Sequence, residues 1–179
     1  MIRLIAATLA LAVLWSGWWG YAAYRLKTGV ETWFAERRAE GWEAQHARMR
    51  LRGFPNRLDL TLDDLLLADP RSGLVWEAPC FQILSLSYKP GHLILVWPDS
   101  QALTTASGRH EITSDGLRAS VVSRDGMILR ANLEAEVLNI AGPERSLALA
   151  GVTAGALQDE VAQDLYRLGL SAEALARDR

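Results

Sequence analysis

RGFPNRLDLTLDDLLLADP, residues 52–70, decides how the rest of the chain is read. Leu58, Leu60 and Leu62 alternate with Asp59, Thr61 and Asp63, and in an extended strand residues two apart share a face. The leucines therefore point one way and the polar side chains the other, behind a turn at Gly53-Phe54-Pro55-Asn56. The carboxylates invite a calcium reading, since Asp59-x-Thr61-x-Asp63 has the spacing that opens an EF-hand loop. That reading fails, because Asp64 stands where the loop needs glycine and Pro70 where it needs a bidentate glutamate. The Asp63-Asp64 pair interrupts the alternation, and a bulge there returns Leu65 and Leu67 to the face of Leu62. The question that remains is what the leucine face packs against.

Extended runs continue on both sides of this stretch. MRLR precedes the turn, and LVWEA, FQILSLSY, HLILVWP, QALTTA, HEITSDGLRASVVS, MILRANLEAEVL and SLALAGV follow it. They are separated by turn chemistries such as Asp69-Pro70-Arg71-Ser72-Gly73, Lys89-Pro90-Gly91, Ser107-Gly108 and Arg124-Asp125-Gly126. Short connections make consecutive strands antiparallel neighbours, so a curved meander of about eight strands is expected. His92 to Trp97 is apolar on both faces, which predicts a central strand covered on both sides. From residue 155 helix propensity and period-two alternation disagree. We read Asp159 to Asp164 as a polar turn and residues 165–174 as a final strand, with a helix as the alternative.

Ahead of the sheet, residues 4–24 (LIAATLALAVLWSGWWGYAAY) carry no charged side chain. At about 1.5 Å per residue a helix of this length crosses a hydrocarbon core of roughly 30 Å. Trp15, Trp18, Trp19, Tyr21 and Tyr24 collect in its second half, followed by Arg25 and Lys27, as at a membrane–water interface. A cleaved signal peptide is the rival reading, but the apolar run is long for a signal core and tyrosines crowd the Ala22-Ala23 region. Residues 1–24 are therefore expected to be a transmembrane anchor, 25–48 a linker helix with a solvated charged face, and 49–179 an antiparallel β domain. Basic residues alone weakly favour a cytoplasmic body, since Arg3 faces Arg25, Lys27, Arg37 and Arg38 across the span.

Composition narrows the chemistry. With 19 basic against 21 acidic side chains, the chain lacks the positive surface that nucleic-acid phosphate demands, so no nucleic-acid partner is expected. The single Cys80 excludes an internal disulfide and a multi-cysteine metal site, and is read as a small buried residue. His46 is read as a surface histidine at the end of the linker helix. His110-Glu111 begins like a zinc-protease motif but lacks the second histidine and sits in a strand pattern. No nucleophile elbow, phosphate-binding glycine loop or dinucleotide fingerprint is present. No catalytic residue, metal ligand or cofactor is assigned, and the chain is not expected to be an enzyme.

A series of short motifs carries a family resemblance. Arg-Gly-Phe-Pro-x-Arg-Leu-Asp-Leu at 52–60, Leu-Ala-Asp-Pro at 67–70, Trp76-Glu77-Ala78-Pro79, Leu86-Ser87-Tyr88-Lys89-Pro90 and Val96-Trp97-Pro98-Asp99 follow the anchor and helix in order. The chain resembles, from residue 1 to about residue 175, the uncharacterised alphaproteobacterial family catalogued as domain of unknown function 2125. The Gly-aromatic-Pro turn is also similar to that of AsmA-like envelope proteins. The resemblance implies a β-rich periplasmic body tethered by one pass to the inner membrane, against the weak charge count. It also implies a chain shortened at its C-terminal end, and it supplies no catalytic residues.

A sheet with one apolar face must hide it against the helix, against itself, against a missing half, or against lipid. Packing within the chain is the plain expectation. The alternative is a groove for a lipid chain or an apolar partner, formed by Leu58, Leu60, Leu62, Leu84, Leu86, Tyr88, Leu93, Leu95 and Trp97. A scaffolding role in an envelope complex, without a ligand groove, is the competing function.

Overall fold

The computed structural model describes residues 1–124, 126–159 and 165–178. One helix, α1 (Ile2–Ala39), opens the chain. Twelve strands follow among the described residues: β1 (Glu43–Gln45), β2 (Arg48–Arg52), β3 (Arg57–Asp69), β4 (Leu74–Leu86), β5 (Lys89–Val96), β6 (Ser100–Thr105), β7 (Gly108–Asp115), β8 (Arg118–Arg124), β9 (Met127–Ala141), β10 (Ser146–Gln158), β11 (Tyr166–Ser171) and β12 (Ala174–Asp178). They pair antiparallel in a single sheet. The mainly β architecture read from the alternation is the one observed. The turns expected at Arg124-Asp125-Gly126 and Asp159 to Asp164 fall, at Asp125 and at residues 160–164, outside the described residues.

The segments expected as anchor and linker are one continuous helix, and it stops at Ala39 rather than at residue 48. The stop signal is Gly41, held at φ 92°. Its N–H bonds to the Arg38 carbonyl, and the Trp42 N–H to the Arg37 carbonyl. That pattern closes a helix through a left-handed glycine just past its cap. Arg37 and Arg38 sit in the last turn, where positive charge suits the helix dipole. The helix-forming composition of residues 42–48 is overridden by pairing, because β1 adds to the second half of β3 and β2 to its first half.

The sheet is built on four long strands, β3, β4, β9 and β10, each flanked by shorter ones that share its length. β4 pairs with β6 along its first part and with β5 along its second. β9 pairs with β8 and then with β7. β10 pairs with β12 and then with β11. The two shorter rows between β4 and β9 are therefore each made of two strands end to end. The eight rows of the ordered path are the breadth expected of the meander, and the larger strand count comes from these interrupted rows. HEITSDGLRASVVS is cut at Gly116 into β7 and β8, whereas LVWEA and FQILSLSY join through Pro79 into β4.

The interruptions align in one crease that crosses the sheet. Asp64 (φ 51°) lies on it, as do Gly116 (φ 64°) and Gly151 (φ 59°). Pro79 faces Asp64, and Glu136 faces Gly151, at gaps in otherwise constant registers. At each crossing the alternation inverts, so residues three apart share the apolar face. Leu62 and Leu65 do so on β3 with Ala78 on β4. Ala135 and Leu138 on β9 repeat the pattern, with Leu149 and Val152 on β10. The expected bulge at Asp63-Asp64 is thus corrected. The phase does shift there, but no residue is added, because β4 breaks step opposite at Pro79 and the β3–β4 register is unchanged. Proline is tolerated mid-sheet here because its missing N–H falls at the crease, where β4 changes neighbours from β6 to β5.

The core lies between α1 and the β1–β4 end of the sheet. Phe34, 1% exposed, meets Ala44, Leu60, Leu62, Leu65 and Ala78. The edge-to-face contacts Trp76–Phe81 and Phe81–Trp97, with centroids 5.6 and 5.3 Å apart, carry this core towards a second cluster at Leu117, Ala135 and Val152. The leucine face of β3 therefore packs on the chain's own helix. β5 is central in pairing, between β4 and β8. It is not covered on both sides, since Ile94 remains 38% exposed on the face opposite the helix.

Candidate functional site

The helix is attached to the sheet at two levels. Near its middle, three indoles donate to backbone carbonyls at one end of the sheet: Trp15 Nε1 to Pro55 at 3.0 Å, Trp18 Nε1 to Ser87 at 3.1 Å and Trp19 Nε1 to Arg57 at 2.8 Å. Trp19 also stacks edge-on against Phe54, at 5.4 Å between centroids. Near its C-terminus, Phe34 enters the core, Arg38 donates to the Ala44 carbonyl and Arg71 donates to the Glu40 carbonyl. The distances agree: residues 15–40 of a helix span about 38 Å, and β3 covers about 40 Å between its two turns. Helix and strand run side by side in the same direction.

Between these attachments lies a cleft of about 440 Å³, within the range of roughly 300–1,000 Å³ typical of small-molecule sites. One wall is helical, with Leu26, Gly29, Val30, Trp33 and Phe34 following Arg25. The other is sheet, with Leu62, Leu65 and Leu67 of β3, Trp76, Phe81 and Ile83 of β4 and Leu95 of β5. Arg25 is the sole charged side chain among these residues, and it lies 3.5 Å from the Tyr21 hydroxyl. At Gly29 an added Cβ would meet no neighbour within 4 Å, so the wall is open there. Nothing in the lining offers a nucleophile or general acid, and what it can do chemically is desolvate an apolar chain.

The structure divides the residues expected to form a groove. Leu62 and Leu95 line the cleft, and Leu58 and Leu60 are buried on the same face of β3. Leu93 shares the face of Leu95, opposite Ser85. Leu84 and Leu86 lie on the other face, opposite Asp59 and Arg57, beside His92 and Ile94. Tyr88 is exposed in the β4–β5 turn, and Trp97 packs on Phe81. The Asp69–Gly73 turn decides this division, because its register sets odd residues of β3 against even residues of β4. Phe81, Ile83 and the helical wall were not among the expected residues. The signal that could have found them is the helical spacing of Leu26, Val30, Trp33 and Phe34.

The aromatic collar is also more than a belt. Trp15, Trp18 and Trp19 bind sheet carbonyls as above, while Tyr21 and Tyr24 remain exposed. His46 is corrected from a surface position at a helix end. It follows β1 and packs edge-on against Phe34 at 4.9 Å between centroids, with Nε2 3.5 Å from Glu31. Cys80 is half-buried and unpaired, on the face opposite Phe81.

Elsewhere several charged groups pair with one another. Arg109 bridges Glu77 and Glu111 beside a polar hollow near Asp64, and the hydrogen bonds to Glu111 and then Glu77 hold its guanidinium above the ordinary arginine value. Asp69 accepts from the Arg71 backbone N–H and the Ser72 hydroxyl, and these two bonds, in that order, hold its carboxyl below the usual aspartate value. Among the described residues no His, Cys, Asp and Glu side chains are grouped to hold a metal ion.

A helix long and apolar enough to cross a membrane, pinned along a creased antiparallel sheet with an apolar cleft beneath it, defines a β-rich protein with one candidate anchor among the described residues. The chain belongs to the bacterial family described as "Uncharacterized protein conserved in bacteria (DUF2125)", which matches residues 19–178. No curated protein and no solved structure matches it.

Proposed function

We propose that this chain is a membrane-tethered envelope protein whose cleft between α1 and the sheet holds one acyl chain of a lipid, with no catalytic step of its own. The single observation that carries the reading is the lining: apolar along both walls, open at Gly29, with one cation, Arg25, beside the apolar span. An acyl chain fits the walls, and Arg25 suits the phosphate or carboxylate attached to it. We place the tether in the inner membrane as a single pass with the body in the periplasm, following the resemblance to envelope proteins. A membrane-impermeant maleimide applied to intact cells should label an Arg71→Cys variant, and labelling only after lysis would reverse that topology.

The test of the cleft uses a phospholipid carrying a diazirine on its acyl chain, incorporated with the full-length protein in bilayers and irradiated. Adducts are expected on peptides covering residues 62–67 and 76–83, and they should be lost in Gly29→Phe, which fills the open wall. Adducts confined to residues 2–24 in both proteins would overturn the reading.

A scaffolding role without a ligand is favoured by a different observation. Leu168 and Leu170 on β11 and Leu175 on β12 are 80, 79 and 66% exposed, an apolar edge of the kind that packs on a partner. A photocrosslinker at position 170 in native membranes should then give a discrete protein adduct. Lipid adducts alone at that position would remove this role.

A further inference from the structure

We infer that the turns at Phe54-Pro55 and Tyr88 form a second membrane-inserting element, which sinks this end of the sheet to the boundary where headgroups meet the outer acyl chains of the bilayer. The inference rests on α1 spanning the membrane, and it follows from where the helix is fastened. Trp15, Trp18 and Trp19 hold the carbonyls of Pro55, Ser87 and Arg57 at 3.0, 3.1 and 2.8 Å, so both turns are locked at the level of helix residues 15–19. Only Ile2 to Leu14 lies clear of the sheet, a length of about 20 Å. A hydrocarbon core is roughly 30 Å thick. The shortfall of about 10 Å, some seven residues of helix, brings the span up to about Tyr21 and draws the attached turns down with it.

The tips of the turns have the chemistry for that position. Phe54 is 59% and Tyr88 53% exposed, beside Trp15, Trp18 and Tyr21, which are also exposed. Tyrosine and tryptophan, rings with one polar edge, concentrate where acyl chains meet headgroups, and the wholly apolar Phe54 suits the outer acyl chains just beneath. Arg52, Arg57 and Lys89 flank the two tips, and their long side chains reach from there towards the phosphates. Asp59 is the acidic partner of Arg57, at 3.1 Å, and α1 carries no acidic residue before Glu31. The occupant of this surface is the phospholipid bilayer that α1 enters, and the contact continues the one the helix makes.

The experiment places an environment-sensitive fluorophore on single cysteines at positions 9, 54, 88 and 71 of the full chain, in a Cys80→Ser background. The labelled proteins are reconstituted in vesicles of phosphatidylcholine with one-fifth phosphatidylglycerol, and quenching by shallow and deep doxyl-labelled lipids is read. Quenching by the shallow label at 54 and 88 should be at least three times that at 71, which sits in the turn at the opposite end of β3. Position 9 should respond to the deep label. If 9 responds but 54 and 88 are no more quenched than 71, the inserting turns are overturned while the span stands. If 9 is also unquenched, the spanning helix fails and the inference with it. Phe54→Ser and Tyr88→Ser provide the second measurement: the folded double variant should lose at least half of the shallow quenching seen from a label at position 56, and an unchanged value also overturns the inference.

Discussion

Asp64 and Pro79 face one another across β3 and β4, one with φ at 51° and the other without a backbone N–H, and neither adds a residue to its strand. Each breaks the alternation of its own strand, and because both break at the same level the register survives. A left-handed non-glycine residue costs about 1–2 kcal/mol, less for aspartate than for most side chains. Asp64→Gly is therefore expected to raise stability, by up to about 1 kcal/mol, with the fold intact. Asp64→Val should lower it by about 2 kcal/mol or more, since a β-branched residue fits that region worst. Thermal unfolding of the two variants in detergent checks the pair, and equal midpoints would mean that Asp64 is not strained by its conformation.

The crease also explains which parts of the fold were legible. Period-two leucines in β3 and turn residues such as Gly53 and Pro55 were enough to place a strand, a turn and a strand, because local chemistry decides them. Gly53 shows this directly. Its φ is 106°, and an added Cβ would lie 2.7 Å from the Arg57 carbonyl oxygen, so the residue type records the backbone. The faces of Leu84 and Leu86 were not legible, because they depend on the β3–β4 register, which the turn at residues 70–73 sets by one residue. A one-residue change in pairing moves every side chain of a strand to the other face. Asp63-Asp64 was visible as an interruption, but its partner Pro79 lies across the hairpin and is joined to it only by folding. The collar of tryptophans had a sufficient account as a membrane belt, and nothing local to it points to carbonyls 38 to 69 residues away.

Ser87 offers a test in the opposite direction from most core substitutions. It is 1% exposed, and its hydroxyl has no hydrogen-bond partner. Its carbonyl is held by Trp18, an interaction the side chain does not touch. A buried hydroxyl without a partner costs about 1–3 kcal/mol. Ser87→Ala should therefore stabilise the protein by about 1 kcal/mol or more, seen as a higher midpoint in urea with an unchanged slope. A lower midpoint would mean that the hydroxyl is bonded in solution.

Acid should loosen the β3–β4 turn through Asp69. Its carboxyl lies below the usual value because the Arg71 N–H and the Ser72 hydroxyl bond the ionised form. For a depressed carboxylate the stabilisation is fully present above the unfolded value of about 3.9 and is lost as pH falls through the lower folded value. The group is exposed, so the effect is small and local. Carbon-detected titration should place the Asp69 midpoint below that of other exposed aspartates. Amide exchange at Arg71 and Gly73 should rise as the pH drops through that midpoint. In Asp69→Asn the exchange should lose this acid dependence, and a variant that keeps it would assign the change to another group.

The two attachments of α1 differ in strength, and the difference predicts how the helix comes away. Phe34 is buried to 1% among residues from β1, β3 and β4, and removing such a ring costs about 3–5 kcal/mol. Each indole bond at Trp15, Trp18 or Trp19 is worth about 1 kcal/mol, since its donor exchanges one partner for interfacial water or a lipid headgroup when released, and Trp15 and Trp19 are bonded at exposed positions. Packing at Phe34 thus outweighs any single indole, while the three indoles together approach it. Phe34→Ala should release the C-terminal half of the helix while the indoles still hold residues 15–19. In that variant, amide exchange in a bilayer should rise across residues 26–39 and stay slow near 15–24. Replacing all three tryptophans with phenylalanine should leave residues 30–39 protected and mobilise the Gly53–Arg57 turn, whose carbonyls they held. Uniform acceleration along the whole helix in both proteins would show that the attachments act as a single unit, and that the cleft between them cannot open from one end.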